Sequence, residues 1–146
     1  YVPATRRLYW GEAGKGAFTA EVDADTLQPQ QAQQLPLPGA TQNRPFRVVA
    51  SRSHLSAETQ EFIDRLKAAH SEVDTVSAGS SLKLCLVAEG KADVYPRLAP
   101  TMEWDTAAGH AIARAAGCTV MQAGTTEPLH YNKENLLNPF FVVSRS

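Results

Sequence analysis

From Phe46 onward, short β-branched and aromatic runs alternate with stretches whose apolar residues recur at helical spacing. That alternation constrains the chain more than any other feature, because it is the pattern of α/β units, in which each strand hands over to a helix that covers the sheet. Phe46 to Ala50 reads as a strand. A helix follows near Ser56, whose hydroxyl can cap the free amides, with Glu58 in its first turn and Phe62, Ile63, Leu66 and Ala69 as its buried stripe. Val73 to Ser77 is a second strand, after which Leu82, Cys85 and Leu86 recur at helical spacing up to Gly90, a C-terminal cap. Ala92 to Tyr95 is a third strand. Trp104, Ala107, Ala108, Ala111, Ile112 and Ala115 form the stripe of a small-residue helix that Gly117 ends, and Cys118 to Met121 and Phe140 to Val143 supply further strands.

Upstream, Arg7 to Trp10 and Ala17 to Val22 flank Gly11, Gly14 and Gly16 and read as a β-hairpin. A hairpin is marginal alone in water, and the first residue is not Met, so the expectation is a piece of a longer protein whose earlier strands complete this one. Gly11-Glu12-Ala13-Gly14-Lys15-Gly16 lacks the Ser or Thr after Lys that a phosphate loop needs, and a strand rather than a helix follows it. Asp23-Ala24-Asp25-Thr26 resembles the start of an aspartyl-phosphate motif but follows no buried apolar strand. From Asp23 to Asn43 the chain is rich in Gln and Pro without apolar periodicity and reads as an exposed connector. The expected division is therefore a hairpin and connector over residues 1–43 and an α/β subdomain over residues 44–146.

The net charge of −1 argues against the broad capture of nucleic acid that a strongly basic domain shows, so any anion must be held locally. No apolar stretch approaches the roughly 20 residues that span a bilayer. Cys85 and Cys118 both lie in apolar runs and read as buried thiols in a reducing compartment.

In open α/β sheets, ligands bind outside the carboxyl ends of strands, beside helix N-termini. Polar clusters mark such junctions at Ser51-Arg52-Ser53-His54, at Gly79-Ser80-Ser81-Leu82-Lys83, and at Tyr95-Pro96-Arg97 with Trp104-Asp105-Thr106 beyond it. Each alone is an ordinary capped turn. Together Arg52, His54, Lys83 and Arg97 would line one sheet edge opposite the Asp105 carboxylate, which suits a metal-assisted phosphate-ester site. Arg is a planar fork for phosphate, Lys a mobile point charge, and a carboxylate the hard oxygen ligand that Mg²⁺ prefers.

Trp104-Asp105-Thr106-Ala107-Ala108-Gly109 resembles the W-D-x-A-A-G signature of the inositol monophosphatase superfamily. Ser51 to His54, Gly79 to Lys83, Ala92 to Arg97 and Leu137 to Phe140 resemble more specifically its CysQ branch, the 3'(2'),5'-bisphosphate nucleotidases. The resemblance implies a layered αβαβα sugar-phosphatase fold, of which this chain would hold the mixed C-terminal sheet with flanking helices, preceded by a hairpin of the N-terminal sheet. It implies hydrolysis of the 3'-phosphate of adenosine 3',5'-bisphosphate, by in-line attack of a water activated by more than one Mg²⁺, with Li⁺ inhibiting. Asp105 would ligate Mg²⁺ and lie beside the ribose. His54, Ser80, Lys83 and Arg97, with Arg52 and Gly79, would surround the nucleotide and the phosphate that is not cleaved. Where the inositol-phosphate branch carries an acid suited to polyol hydroxyls, Arg97 is basic and favours a second phosphate.

The superfamily's D-P-x-D-G-[ST] metal motif is absent from this sequence. Two-metal chemistry needs more carboxylates than Asp105 supplies, so the chain is expected to be inactive alone and to associate through an exposed apolar sheet face, with the missing half or with itself. The resemblance places the whole protein in the cytoplasm, with a peripheral position at the inner face of the cell membrane left open. Two other readings stay open: an inositol-phosphate or fructose-bisphosphate phosphatase on the same scaffold, and a non-catalytic adenine-nucleotide-binding module, which would bind without Mg²⁺.

Overall fold

The computed structural model describes residues 1–50 and 55–145. A short 3-10 turn at Pro3–Thr5 leads into strands β1 (Arg7–Glu12), β2 (Gly16–Val22) and β3 (Pro29–Leu35). Then follow β4 (Phe46–Ala50), helix α1 (Ala57–Ala69), β5 (Val73–Ser77), α2 (Leu82–Ala88), β6 (Val94–Arg97), α3 (Glu103–Ala115), β7 (Thr119–Gln122) and β8 (Phe141–Ser144). The first three strands form an antiparallel sheet in chain order. The other five form a mixed sheet in the order β5-β4-β6-β8-β7, parallel where β4 meets β5 and β6, antiparallel where β8 meets β6 and β7. This is the expected α/β class with a mixed sheet.

The five-stranded sheet separates two cores. On one face of the five-stranded sheet, Ile63 of α1 packs with Val48, Ala50 and Val94. On the other, α2 and α3 contribute Leu84, Val87, Ala88 and Ala113 to a core that includes Val49, Tyr95, Val120, Phe141 and Val143, and also Ala17 and Leu35 of the three-stranded sheet. A Cβ on Gly11 would lie 3.1 Å from the Ala115 Cβ, tighter than ordinary packing, so β1 rides close on α3 and a side chain there would push Ala115 aside by a few tenths of an ångström.

Several elements depart from the sequence reading. The connector expected over Asp23 to Asn43 contains β3, which pairs with β2 through a register shift between Thr19 and Glu21. Its glutamines are exposed and only Leu35 is buried, so an edge strand held by main-chain bonds carries no apolar alternation to read. The third strand begins at Val94 rather than Ala92 and runs through Pro96, because β6 meets β4 only at Val48 and the missing proline N–H costs no bond there. In α1, Ser56 caps as expected by accepting from the Thr59 amide, but Ala69 is exposed.

The largest departure is α3. Trp104, Ala107, Ala108 and Ala111 of the expected stripe are exposed, and Glu103, Thr106, Gly109, His110 and Ala113 are buried instead. Alanines fit any face of a helix, so they do not fix its rotation, and the buried face is polar because its hydrogen bonds are satisfied within the protein. Tyr131 OH donates to Thr106 Oγ1 at 3.2 Å and meets His110 Nδ1 at 2.8 Å, while Glu103 accepts from the Asn132 and Lys133 amides and pairs with the Lys133 ammonium.

Arg44 fastens the segment after β3 to the second sheet. Its side chain, 8% exposed, donates to the carbonyls of Ala40, Pro45 and Gly90 and grips both oxygens of Asp93 at 2.6 and 2.9 Å. Burial alone would raise the Asp93 pKa, but hydrogen bonds from Arg44 and the Arg47 amide, with the Arg44 charge, outweigh it and hold the carboxyl below its ordinary value. Removing one partner of such a pair strands the other. Arg44→Ala is therefore expected to cost about 3 kcal/mol by chemical denaturation. In the intact chain the Asp93 contribution is complete above the ordinary carboxylate pKa of 3.8 and is lost as pH falls through the lower folded value; the variant's denaturation midpoint should lack that acid limb.

Candidate functional site

α2 and α3 both start at the same end of the five-stranded sheet, where β6 also ends, and a cavity of about 220 Å³ opens between them. Ser80, Ser81 and Lys83 line it from the start of α2, Tyr95 and Arg97 from β6, and Thr101, Asp105 and Thr106 from the start of α3. Leu84 and Phe141 form its apolar floor. A Cβ added to Gly109 would lie 3.1 Å from the Leu84 Cβ, so the Leu84 side chain of α2 packs directly on the α3 backbone at Gly109.

Ser80, Lys83, Arg97 and Asp105 are brought to one cavity. Gly79 adjoins Ser80 but is not part of the cavity lining, and a Cβ there would meet no protein atom within 4 Å. Arg52 and His54 lie outside the described residues. Lys83, expected one turn into α2, is its second residue, and it is 7% exposed. The Ser81 hydroxyl makes no capping bond, and Ser80 adopts a left-handed φ of 48°. Thr101 was not singled out by the sequence, since a lone Thr in a Pro-Thr turn carries no signal; Tyr95 and Thr106 stood inside the quoted motifs without a role.

The cavity lining carries two cations and, at Asp105, one carboxylate. Among the described residues neither Lys83 nor Arg97 belongs to an ion pair. Lys83 Nζ donates to the Ser80 carbonyl at 3.3 Å and lies 5.8 Å from the centre of the Tyr95 ring, within cation–π range. Burial, and then the charge of Arg97, lower the Lys83 pKa from its ordinary 10.5. Arg97 Nη2 donates to the Pro100 carbonyl at 2.9 Å, and its buried Nε has no acceptor. The Tyr95 phenol is raised by burial against the opposing effect of Arg97, so it stays a neutral hydroxyl.

Asp105 is exposed, the third residue of α3, and its Oδ2 accepts from the Met102 amide at 2.9 Å. That bond fixes the start of the helix and leaves Oδ1 without a hydrogen bond among the described residues. A magnesium ion is commonly held by one or two carboxylates with waters and phosphate oxygens completing its shell. Asp105 fits one such place. No cluster of His, Cys, Asp or Glu that could by itself hold a metal exists among the described residues, so they do not build a two-ion centre. No described helix is long and apolar enough to cross a membrane.

Residues 1–140 match the model of the inositol monophosphatase family. The chain is 54% identical over 102 residues to the 3'(2'),5'-bisphosphate nucleotidase CysQ of Escherichia coli (strain K12), covering 69% of this chain and 39% of that protein. It is 44% identical over 147 residues to the CysQ nucleotidase of Salmonella typhimurium, covering 99% of this chain and 52% of that one. The crystal structure of CysQ from Bacteroides thetaiotaomicron superposes with a TM-score of 0.88 at 54% identity, over 99% of this chain and 56% of that structure. A Pyrococcus furiosus structure described as an extragenic suppressor shares the fold alone, with a TM-score of 0.66 at 19% identity. The chain thus spans about half the length, or less, of the relatives it matches. Its cation-lined cavity between two touching helices stands on a fold held in common with them, and the chain belongs to the inositol monophosphatase family.

Proposed function

We propose that this chain is the nucleotide-recognising part of a phosphatase that removes the 3'-phosphate of adenosine 3',5'-bisphosphate. One observation carries the reading: two cations share a small cavity with no carboxylate paired to either, and one guanidinium N–H lies buried without an acceptor. Desolvated charge of one sign is costly and calls for an anion of the other. The cavity has room for a phosphoryl group and the sugar beside it. Arg97 and Lys83 together suit a second, uncleaved phosphate better than the hydroxyls of an inositol ring. The names of the CysQ relatives point to the same substrate class.

In this reading Lys83, Arg97 and the Ser80 hydroxyl hold the 5'-phosphate and thereby set where the ribose and its 3'-ester lie; binding energy at the remote phosphate becomes orientation at the reacting one. Asp105 Oδ1 stands ready as one ligand for Mg²⁺, which when bound supplies charge neutralisation at the scissile phosphate. Among the described residues no carboxylate other than Asp105 lines the cavity, so in this reading the chain alone binds and does not turn over. Trp10 and Phe18, half-buried and stacked at 5.6 Å on the three-stranded sheet, mark the side through which the chain would join the rest of such an enzyme or a second copy.

The first test is calorimetric titration of the chain with adenosine 3',5'-bisphosphate, adenosine 5'-monophosphate and adenosine. Both phosphates should bind and adenosine more weakly. Lys83→Met or Arg97→Met should cost about ten- to a hundred-fold for the phosphates, the worth of a charge-assisted hydrogen bond. Equal binding of adenosine, or phosphate release by the purified chain with Mg²⁺, would overturn the reading.

Lys83 gives a second expectation, in pH. Its folded pKa lies below 10.5, so without ligand the unfolded chain keeps that proton to higher pH, and stability rises with pH between the two values. A phosphate binds the protonated form, so affinity should be greatest below the lowered value and fall as pH rises through it. Titrations with adenosine 5'-monophosphate between about pH 7 and about pH 10 should show this slope in the wild type and not in Lys83→Met.

Asp105→Asn keeps an oxygen to accept the Met102 amide and removes only the charge. Its melting temperature should stay close to that of the wild type, while any strengthening of bisphosphate binding by Mg²⁺ should disappear. Mg²⁺ enhancement of the same size in the variant would remove Asp105 from the metal site.

A further inference from the structure

Beneath the cavity lies a buried network whose protons can be followed one by one. Thr106 Oγ1 donates to the Glu103 carbonyl at 3.2 Å and accepts from Tyr131 OH at 3.2 Å and from Asn138 Nδ2 at 3.0 Å. Since the Tyr131 proton goes to Thr106, the 2.8 Å contact between Tyr131 OH and His110 is a bond donated by Nδ1. Burial, and then the charge of Arg114, lower the His110 pKa and keep the ring neutral, so the chain runs in one direction from His110 through Tyr131 and Thr106 to the Glu103 carbonyl.

Asn138, 4% exposed, also fixes Thr101. Its amide N–H donates to the Thr101 carbonyl at 2.8 Å, and its Nδ2 donates to Thr101 Oγ1 at 3.3 Å. A hydroxyl has one proton and two lone pairs. With a lone pair given to Asn138, the Thr101 proton is the one left over: no acceptor for it occurs among the described residues. Thr101 lines the cavity, and it directly follows Pro100, whose carbonyl is bound by Arg97 Nη2 at 2.9 Å. The free hydroxyl proton is therefore held beside the guanidinium and on the same cavity as Lys83.

We propose that Thr101 is a further substrate-binding residue, whose hydroxyl, held by Asn138, donates to a phosphate oxygen seated between Lys83 and Arg97. The proposal rests on the phosphate-binding reading of the cavity given above. A hydroxyl adds to two cations what they lack, a directional neutral donor on the Arg97 side, and it distinguishes an oxyanion from a polyol, which would bring protons of its own.

The test compares the ratio of affinities for adenosine 5'-monophosphate and adenosine in the wild type, Thr101→Val, Thr101→Ser and Lys83→Met, with ligand-free melting temperatures as the control for folding. Valine should lower the ratio about ten-fold and serine should restore it. A ratio unchanged in valine but lowered in Lys83→Met overturns the role of Thr101 and leaves the phosphate site standing. A ratio unchanged in both variants overturns the phosphate site and the proposal with it. Equal loss for both ligands in valine, or a serine that restores nothing, makes Thr101 structural and also overturns the proposal. Should the valine variant not fold, Thr101→Ala is read by the same criteria.

Discussion

Two positive charges kept partly out of water, with no carboxylate paired to either among the described residues, are the constraint on which the rest of this structure turns. A chain that only had to be stable would place Lys83 on the outside of a seven-residue helix, yet it is 7% exposed and faces Arg97. Burial and mutual repulsion both disfavour its charge. The elements that hold it there are correspondingly apolar and tight: Leu84, Val87 and Ala88 of α2 enter the main core, and Gly109 lets α3 close on Leu84. Packing of these residues, worth roughly 1.5–3 kcal/mol for each large side chain buried, offsets the strain of an uncompensated site.

The far end of α2 is fixed by polar means. Glu89, fully buried, accepts from Tyr9 OH at 2.9 Å and has the Lys91 ammonium 2.8 Å from its other oxygen, an ion contact without hydrogen-bond geometry. Burial first, and then the Glu89 charge, push the Tyr9 phenol well above its ordinary value of 10.0, so the tyrosine is a donor throughout the physiological range. The bond joins β1 to α2, while Gly11 against Ala115 joins β1 to α3. The three-stranded sheet thus braces both helices that frame the cavity, although it contributes no residue to the cavity lining.

How far this was legible in the sequence depended on which force set each element. The strands and helices of the second sheet were readable because Val48, Val49, Ile63, Val120 and Val143 bury side chains at regular spacing. β3 was not, because Gln30, Gln31, Gln33 and Gln34 are held by main-chain bonds and their side chains face water. The rotation of α3 was misread because its alanines suit either face and its true inner face is made of Glu103, Thr106 and His110, whose burial depends on partners far away at Tyr131, Lys133 and Asn138. Four residues of the cavity, Ser80, Lys83, Arg97 and Asp105, were found from motif resemblance and junction position; that Lys83 is buried and unpaired could not be read from spacing.

The same polar face explains why the start of α3 can carry so much. Asp105 is committed through one oxygen to the Met102 amide, Thr106 to three partners, and Glu103 to the loop at Asn132 and Lys133. Each bond that fixes the helix uses one lone pair or proton and leaves a defined remainder: an oxygen on Asp105 and a proton on Thr101, both at one cavity with the cations of Lys83 and Arg97. The polarity of the cavity therefore comes out of the same hydrogen bonds that stabilise the helix. Among the described residues one carboxylate, Asp105, stands with the cations at this cavity, fewer than a two-metal site uses. What the described residues bring together at the start of α3 is thus two cations, hydroxyls and one carboxylate, the carboxylate and the Thr101 hydroxyl being held by groups that also hold the helix.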